Sequence, residues 1–330
     1  MSLSQFLDDA VSAGHADADL VSVIRGLADA AKAIDYLTRR NGIEGDLGDD
    51  IGGQNADGDS QKALDVRSEE LIIENLGGTG AAALLSEEQD DPVMLNDAGR
   101  VIVAVDPLDG SSNISVNVTV GTIFSLLPSK GDAAAHALQC GRAQLGAGFF
   151  TYGPQTTLIL GFAANENTDG GEVACFVLSP DSGEFMRIGG HISIPQKTKE
   201  FAVNSAYTKH WFAPMQRYMD DTLSGQSGPC GKDYRMRWVG SLVADAWRIF
   251  QRGGVFLYPA DRRPGNETGR LRLVYEANPM ALLAEKAGGM ATDGVRDILD
   301  LTPQSLHERV PLFFGAGEEV ARLAAEHEKG

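Results

Sequence analysis

The sequence predicts a protein of the α/β or α+β class, in which a mixed sheet carries packed helices. Three observations support this: an amphipathic helical segment near the N-terminus, a succession of strand-like runs in the first half, and alternating helices and strands beyond Pro195. The 330 residues and 43% hydrophobic content suit two packed domains, and the pattern break at Gly189-Gly190 and Pro195 places their boundary at 1–195 and 196–330.

From Asp19 to Arg40 the residues Leu20, Val23, Ile24, Leu27, Ala31, Ile34 and Leu37 recur at helical spacing, with Asp19 placed to cap the start and Gly42 the end. Glu44 to Asp59 is rich in Gly and Asp and nearly devoid of apolar residues. It reads as a solvated loop, either a plain linker or a segment that closes over a site. A helix follows from Ser60 to Leu76, stopped by Gly77-Gly78. Strands are expected at Ala82–Leu85, Val101–Val105, Val116–Leu127, Gly146–Tyr152, Thr156–Phe162 and Val173–Leu178. Beyond Pro195, helices are expected at Trp211–Leu223, Ser241–Gln251, Pro279–Ala287 and Glu318–Glu328, and strands at Val255–Tyr258, Leu271–Tyr275 and Leu312–Phe314.

A net charge of -18 argues against nucleic acid and anionic membrane surfaces as partners. A phosphate site in such a chain has to be made locally, from cations, backbone N–H groups and a few arginines. The three cysteines, Cys140, Cys175 and Cys230, are too few and too far apart for a zinc set or a disulfide framework, which suits a reducing compartment. No run of about 18 apolar residues is present and Met1 to Asp19 lacks the layout of a signal peptide, so a cytoplasmic location is expected.

The densest chemical signal is Asp106-Pro107-Leu108-Asp109-Gly110-Ser111-Ser112-Asn113, directly after the apolar run Val101–Val105. Pro107 removes a backbone donor, so the chain is expected to leave the sheet there, with Asp106 and Asp109 facing one point from a tight turn. Two carboxylates and the Leu108 carbonyl make a hard oxygen site suited to Mg²⁺, and Gly110, Ser111 and Ser112 can offer successive N–H groups to a phosphate. An isolated D-x-x-D-G is equally an ordinary turn; the whole octapeptide is far more specific. It resembles the signature of the metal-dependent sugar-phosphatase superfamily, which includes fructose-1,6-bisphosphatases and inositol monophosphatases.

The resemblance extends over nearly the whole chain and is to class I fructose-1,6-bisphosphatases, through Asn113-Ile114, Gly121-Thr122-Ile123-Phe124, Arg237 to Asp245 and Gly254 to Pro259. It implies a layered αβαβα sugar-phosphatase fold, with two mixed sheets sandwiched between helices. Glu87, Asp106, the Leu108 carbonyl, Asp109 and Glu276 then hold Mg²⁺, with Mn²⁺ as a substitute, Asp65 helps to activate water, and Glu88 either works with it or binds metal. Glu87-Glu88 alone would be a solvated turn, Asp65 a helix-dipole partner and Glu276 a capping carboxylate. The same resemblance places the substrate's far phosphate on Asn204, Tyr207, Arg237, Tyr258 and Arg270, with Asp109 and the Gly110–Ser112 turn at the reacting end. It further implies a homotetramer in which Arg237 is lent to a neighbouring subunit, and hydrolysis of fructose 1,6-bisphosphate in gluconeogenesis.

Two departures stand at the far-phosphate end. Trp238 replaces a frequent Tyr, and Arg270 replaces a Lys, exchanging a point charge for a planar fork. The rival activities are a dual fructose-1,6-/sedoheptulose-1,7-bisphosphatase, an inositol-monophosphatase-like enzyme and a non-catalytic sugar-phosphate sensor. Relatives inhibited by AMP carry a Thr-rich loop between the first two helices, a basic-Tyr pair and an Arg, where this chain has Ala13-Gly14-His15, Arg100-Val101 and Pro128. Inhibition by AMP is therefore expected to be weak or absent on titration; inhibition at micromolar AMP would refute this.

Overall fold

The computed structural model describes residues 1–40, 43, 50–54, 60–129 and 137–330. The helices are α1 Leu3–Ser12, α2 Ala18–Thr38, α3 Ala63–Leu76, α4 Ala213–Leu223, α5 Leu242–Arg252, α6 Asn278–Lys286 and α7 Gly317–Glu328. Asp17 caps α2, its carboxylate accepting from the Leu20 N–H at 2.8 Å. Asp19, expected in that role, sits inside the first turn, where its charge still complements the helix dipole. Gly42 and most of Glu44–Asp59 lie outside the described residues, as does the loop closure read from them. The helix expected from Ser60 starts at Ala63, because Ser60–Lys62 is a strand.

The first half supplies β1 Asp50–Gln54, β2 Ser60–Lys62, β3 Ala81–Ser86, β4 Val93–Met94, β5 Val101–Asp109, β6 Val120–Pro128, β7 Gly146–Tyr152, β8 Thr156–Phe162, β9 Ala174–Leu178 and β10 Phe185–Ile188. The second supplies β11 Glu200–Ala202, β12 Arg235–Met236, β13 Val255–Tyr258, β14 Leu271–Arg272, β15 Met290–Thr292, β16 Arg309–Val310 and β17 Leu312–Gly315. An eight-stranded sheet runs β10-β9-β8-β7-β6-β5-β3-β4, and a five-stranded sheet runs β12-β11-β13-β17-β15. Both are mixed: β3 and β5 pair in parallel within an otherwise antiparallel sheet, and β11 lies parallel to both its neighbours.

Side chains on each strand alternate between two layers of core. Phe124 and Phe150 join Leu7, Ile24 and Ile72 of α1, α2 and α3 on one face of the large sheet. Ile123 and Phe149, one residue earlier, point to the opposite face and pack with Val243 and Phe250 of α5, Met280 and Leu283 of α6, and Phe256 and Phe314 of the second sheet. Val255, Leu257 and Phe313 turn outward to Met215 of α4 and Val320 of α7. The layers are thus α, β, α, β, α, as expected. Burial on both faces explains why the strands are continuously apolar rather than alternating.

Two expected strands are shorter than their apolar runs. Val116–Leu127 begins as strand only at Val120, after a 3₁₀ turn over Ser111–Val116 and a left-handed Asn117 at φ 57°. Leu271–Tyr275 ends at Arg272 and continues as a widened helical turn, Leu273–Ala277, that runs into α6. A fully buried run has no polar face, so its periodicity cannot separate strand from helix. Gly121 is required by close approach: a Cβ there would stand 2.1 Å from the Phe150 carbonyl oxygen and 2.7 Å from Val243 of α5.

Phe149 is fully buried in the central helical layer, with its ring 5.8 Å from that of Phe250. Phe149→Ala is expected to cost about 3–5 kcal/mol of stability in denaturant titrations; a change well under about 1 kcal/mol would show that the two sheets do not share this core.

Candidate active site

The acidic octapeptide does not leave the sheet at Pro107; β5 continues through Asp109. Asp106 lies opposite Ile123 and Asp109 opposite Gly121, so β5 carries one residue more than β6 over this span, a β-bulge. Proline is tolerated in a bulge because the ladder is already interrupted there. The Thr122 hydroxyl donates to the Pro107 carbonyl at 2.9 Å, and the Leu108 N–H donates to Asp106 Oδ1 at 3.0 Å. The extra residue lets both aspartates turn to one side.

That side is a cavity of about 490 Å³. Carboxylate oxygens of Asp106, Asp109 and Glu276, all buried, lie within 4.8 Å of one another. Glu87, also buried, reaches the cavity from the turn after β3, where its N–H donates to the Val105 carbonyl at 3.1 Å. The Leu108 segment, the Gly110–Ser112 turn, Asp65 from the first turn of α3 and Glu88 line the same space. Gly110 at φ 77° followed by a 3₁₀ turn is the backbone pattern that gathers N–H groups into an anion nest.

Each carboxylate is held by a specific donor. Asp109 Oδ2 accepts from the Val243 N–H at 2.9 Å and the Ser241 hydroxyl at 3.2 Å, capping α5 from across the sheet. Glu276 accepts from the Arg272 N–H at 2.6 Å, and the Arg272 guanidinium lies 2.9 Å from Glu87. Asn113 Nδ2 donates to the Gly240 carbonyl at 3.0 Å, while Asp245 accepts from the Val239 N–H at 3.0 Å and the Gly240 N–H at 3.2 Å. These bonds fasten the octapeptide to the loop that enters α5.

A second hollow adjoins the first and shares Tyr258 and Arg270 with it. Asn204, Tyr207, Asp261 and Arg263 also line it. Arg237 lines neither space; it is exposed, with Nε 4.0 Å from Glu200. A larger cavity, about 730 Å³, lies against the end of α2, but among the described residues its one carboxylate, Asp35, is already paired with Arg39 at 2.9 Å.

Family models for the fructose-1-6-bisphosphatase N-terminal and C-terminal domains match residues 1–189 and 194–328. The chain belongs to the fructose-1,6-bisphosphatase family. It is 48% identical to a class 1 fructose-1,6-bisphosphatase of Azorhizobium caulinodans, over 98% of both chains. Identity is 46% to that of Nitrobacter vulgaris, over 99% of this chain and 92% of the relative. The Leishmania major fructose-1,6-bisphosphatase in holo form superposes with a TM-score of 0.89 and 32% identity, covering 99% of both chains. The chain is accordingly a phosphatase, a hydrolase of carbohydrate metabolism. Among the described residues no helix is long and apolar enough to cross a membrane.

Sequence reasoning named Glu87, Glu276 and the two aspartates but passed over what positions them. Arg272 sits four residues before Glu276 and pairs with Glu87; its place beside an acidic cluster was the available signal. Ser241 and Val243 fell within the Arg237–Asp245 motif but were not marked as donors to Asp109, because a backbone N–H such as that of Val243 is invisible in sequence and the partner of the Ser241 hydroxyl is set only by packing. Gln89, whose amide donates to buried Glu69 at 2.7 Å, and His307, 3.1 Å from the Gln89 carbonyl, steady the Glu87–Glu88 turn and were likewise unmarked.

Burial dominates the electrostatics. It pushes Glu87 up to about 8 and Glu276 up to about 7 against the pull of Arg272, and Asp109 up to about 6 against its helix-capping bonds. Asp106 is raised well above the carboxylate range by burial and then by the charges of Glu87 and Asp109. A buried group of four carboxylates, of which Glu87 pairs with the Arg272 guanidinium, fits a hard divalent cation, which supplies further positive charge. Acids that hold protons more tightly when folded favour the native state at low pH and lose that advantage as pH rises through their folded values. In chelator, stability is thus expected to fall by on the order of a few kcal/mol between about pH 5 and pH 9, with Asp106→Asn flattening the slope. Thermal melts across pH measure this; rising stability over that range would contradict it.

Proposed function

We propose that the chain hydrolyses D-fructose 1,6-bisphosphate to fructose 6-phosphate and phosphate in a Mg²⁺-dependent reaction, with Mn²⁺ as a working substitute. The observation that carries this reading is the convergence of Asp106, Asp109 and Glu276 at one buried point, within 4.8 Å, beside Glu87. Asp106, Asp109, Glu87, Glu276 and the Leu108 carbonyl are the residues that would hold the cation. When bound, it neutralises phosphate charge and acidifies a bound water.

The chain's own groups do the rest. The Gly110–Ser112 turn offers backbone N–H groups to the 1-phosphate, where charge builds as the bond to the sugar oxygen breaks. Asp65 and Glu88, at the edge of the cavity, accept the proton of the attacking water. Asn204, Tyr207, Tyr258 and Arg270 hold the far phosphate and so orient the sugar. In this reading the N-terminal part, 1–195, carries most cation ligands and 196–330 most of the sugar-phosphate site. We further propose that the enzyme is insensitive to AMP and works in the cytoplasm as a homotetramer. Exposed Arg237 then reaches a neighbouring subunit's far-phosphate pocket rather than its own.

Phosphate release from fructose 1,6-bisphosphate is expected with Mg²⁺ and not with chelator, and inositol 1-phosphate is expected to be a poor substrate. Asp109→Asn keeps a carbonyl acceptor for the α5 cap yet removes the charge, and should lower turnover by at least about 100-fold with little change in melting temperature. Near-normal turnover in Asp109→Asn would sink the cluster assignment. Preference for inositol 1-phosphate would sink the substrate.

A further inference from the structure

We propose that Arg263 binds the sugar's far phosphate, supplying from within the same chain a planar two-pronged contact alongside Arg270. This rests on the bisphosphatase reading and adds a residue that the family resemblance did not mark.

Arg263 is held ready for an anion. Its Nε donates to Asp261 Oδ1 at 2.9 Å and Oδ2 at 3.1 Å, and its Nη2 donates to Oδ2 at 2.7 Å. Asp261 is itself buried, at 2% exposure, and its backbone N–H donates to the Asn266 carbonyl at 3.0 Å. The guanidinium carbon lies 3.4 Å from the centroid of the Tyr207 ring. One edge of the fork is thus spent on Asp261 and one face on Tyr207, while Nη1 brings two further N–H groups. A side chain fixed in this way loses little rotamer freedom when a phosphate arrives.

The position is right for the task. Arg263 lines the same hollow as Asn204, Tyr207, Tyr258 and Arg270. Burial raises the Tyr258 hydroxyl, and the positive charges of Arg270 and Arg263 both oppose that rise, so both cations act on this one point. Arg237 does not line the hollow, so among the described residues the cations on its wall are Arg270 and Arg263. The alternative is that Arg263 is only a staple, closing the 259–269 loop through Asp261.

The test uses the full-length protein with Arg263→Lys and the double variant Arg263→Met/Asp261→Asn, the second change preventing an orphaned buried carboxylate. Calorimetry measures binding of fructose 6-phosphate, and steady-state assays of fructose 1,6-bisphosphate separate KM from kcat. In the double variant the fructose 6-phosphate Kd and the KM are each expected to rise about 10- to 100-fold, while kcat falls less than about threefold. Arg263→Lys keeps the charge without the fork and is expected to fall between. A Kd within about twofold of the parent in the folded double variant would overturn the assignment. So would a loss of kcat that tracks a lowered melting temperature with KM unmoved, the mark of a staple. If the parent itself fails to bind fructose 6-phosphate, the bisphosphatase reading fails first, and this assignment with it.

Discussion

Four buried carboxylates are kept together in one pocket against their own repulsion, and the rest of the molecule is arranged around that constraint. Glu87, Asp106, Asp109 and Glu276 are all buried, and burial alone favours their protonated forms. They stay in place because each accepts from a particular donor: the guanidinium and backbone of Arg272, the N–H of Leu108, and the first turn of α5. Removing a donor weakens the hold on a buried acid. A group of acids fixed in advance by such bonds needs little rearrangement when a cation arrives.

The same bonds join the two sheets. Asp109 belongs to the large sheet, yet it caps α5, a helix of the C-terminal half whose Val243 and Phe250 pack on that sheet's inner face. Gly121, on the strand beside Asp109, has no room for a side chain because Val243 stands against it. Site geometry and central packing are therefore one problem. A disturbance of the helical middle layer reaches the acids through the α5 cap on Asp109 and through the turn that carries Glu276 into α6.

Charge is divided along the cleft. One end gathers acids, with Arg272 paired to Glu87; the other gathers Arg270 and Arg263 around Tyr207 and Tyr258. A chain of net charge -18 can thus receive an anion, because local pairing rather than overall sign decides the field within a few ångströms. Tyr258 and Arg270 line both hollows, which ties the spacing of the two ends to one short strand and the loop after it.

Much of this was legible in the chain itself. Strands such as Gly146–Tyr152 and Thr156–Phe162 showed in the apolar runs, since burial on both faces demands them. The acidic octapeptide, Glu87 and Glu276 were marked by residue type and by their place at element ends. What sequence alone left undecided was anything set by a distant backbone or a close approach. The bulge that carries β5 past Pro107, the helical turn at Leu273–Ala277, the cap of α5 by Asp109 and the fixing of Arg263 by Asp261 belong to this group. The physical reason is that local propensity and periodicity report on neighbours along the chain, whereas an N–H aimed at a carboxylate more than a hundred residues away exists only once the layers have packed.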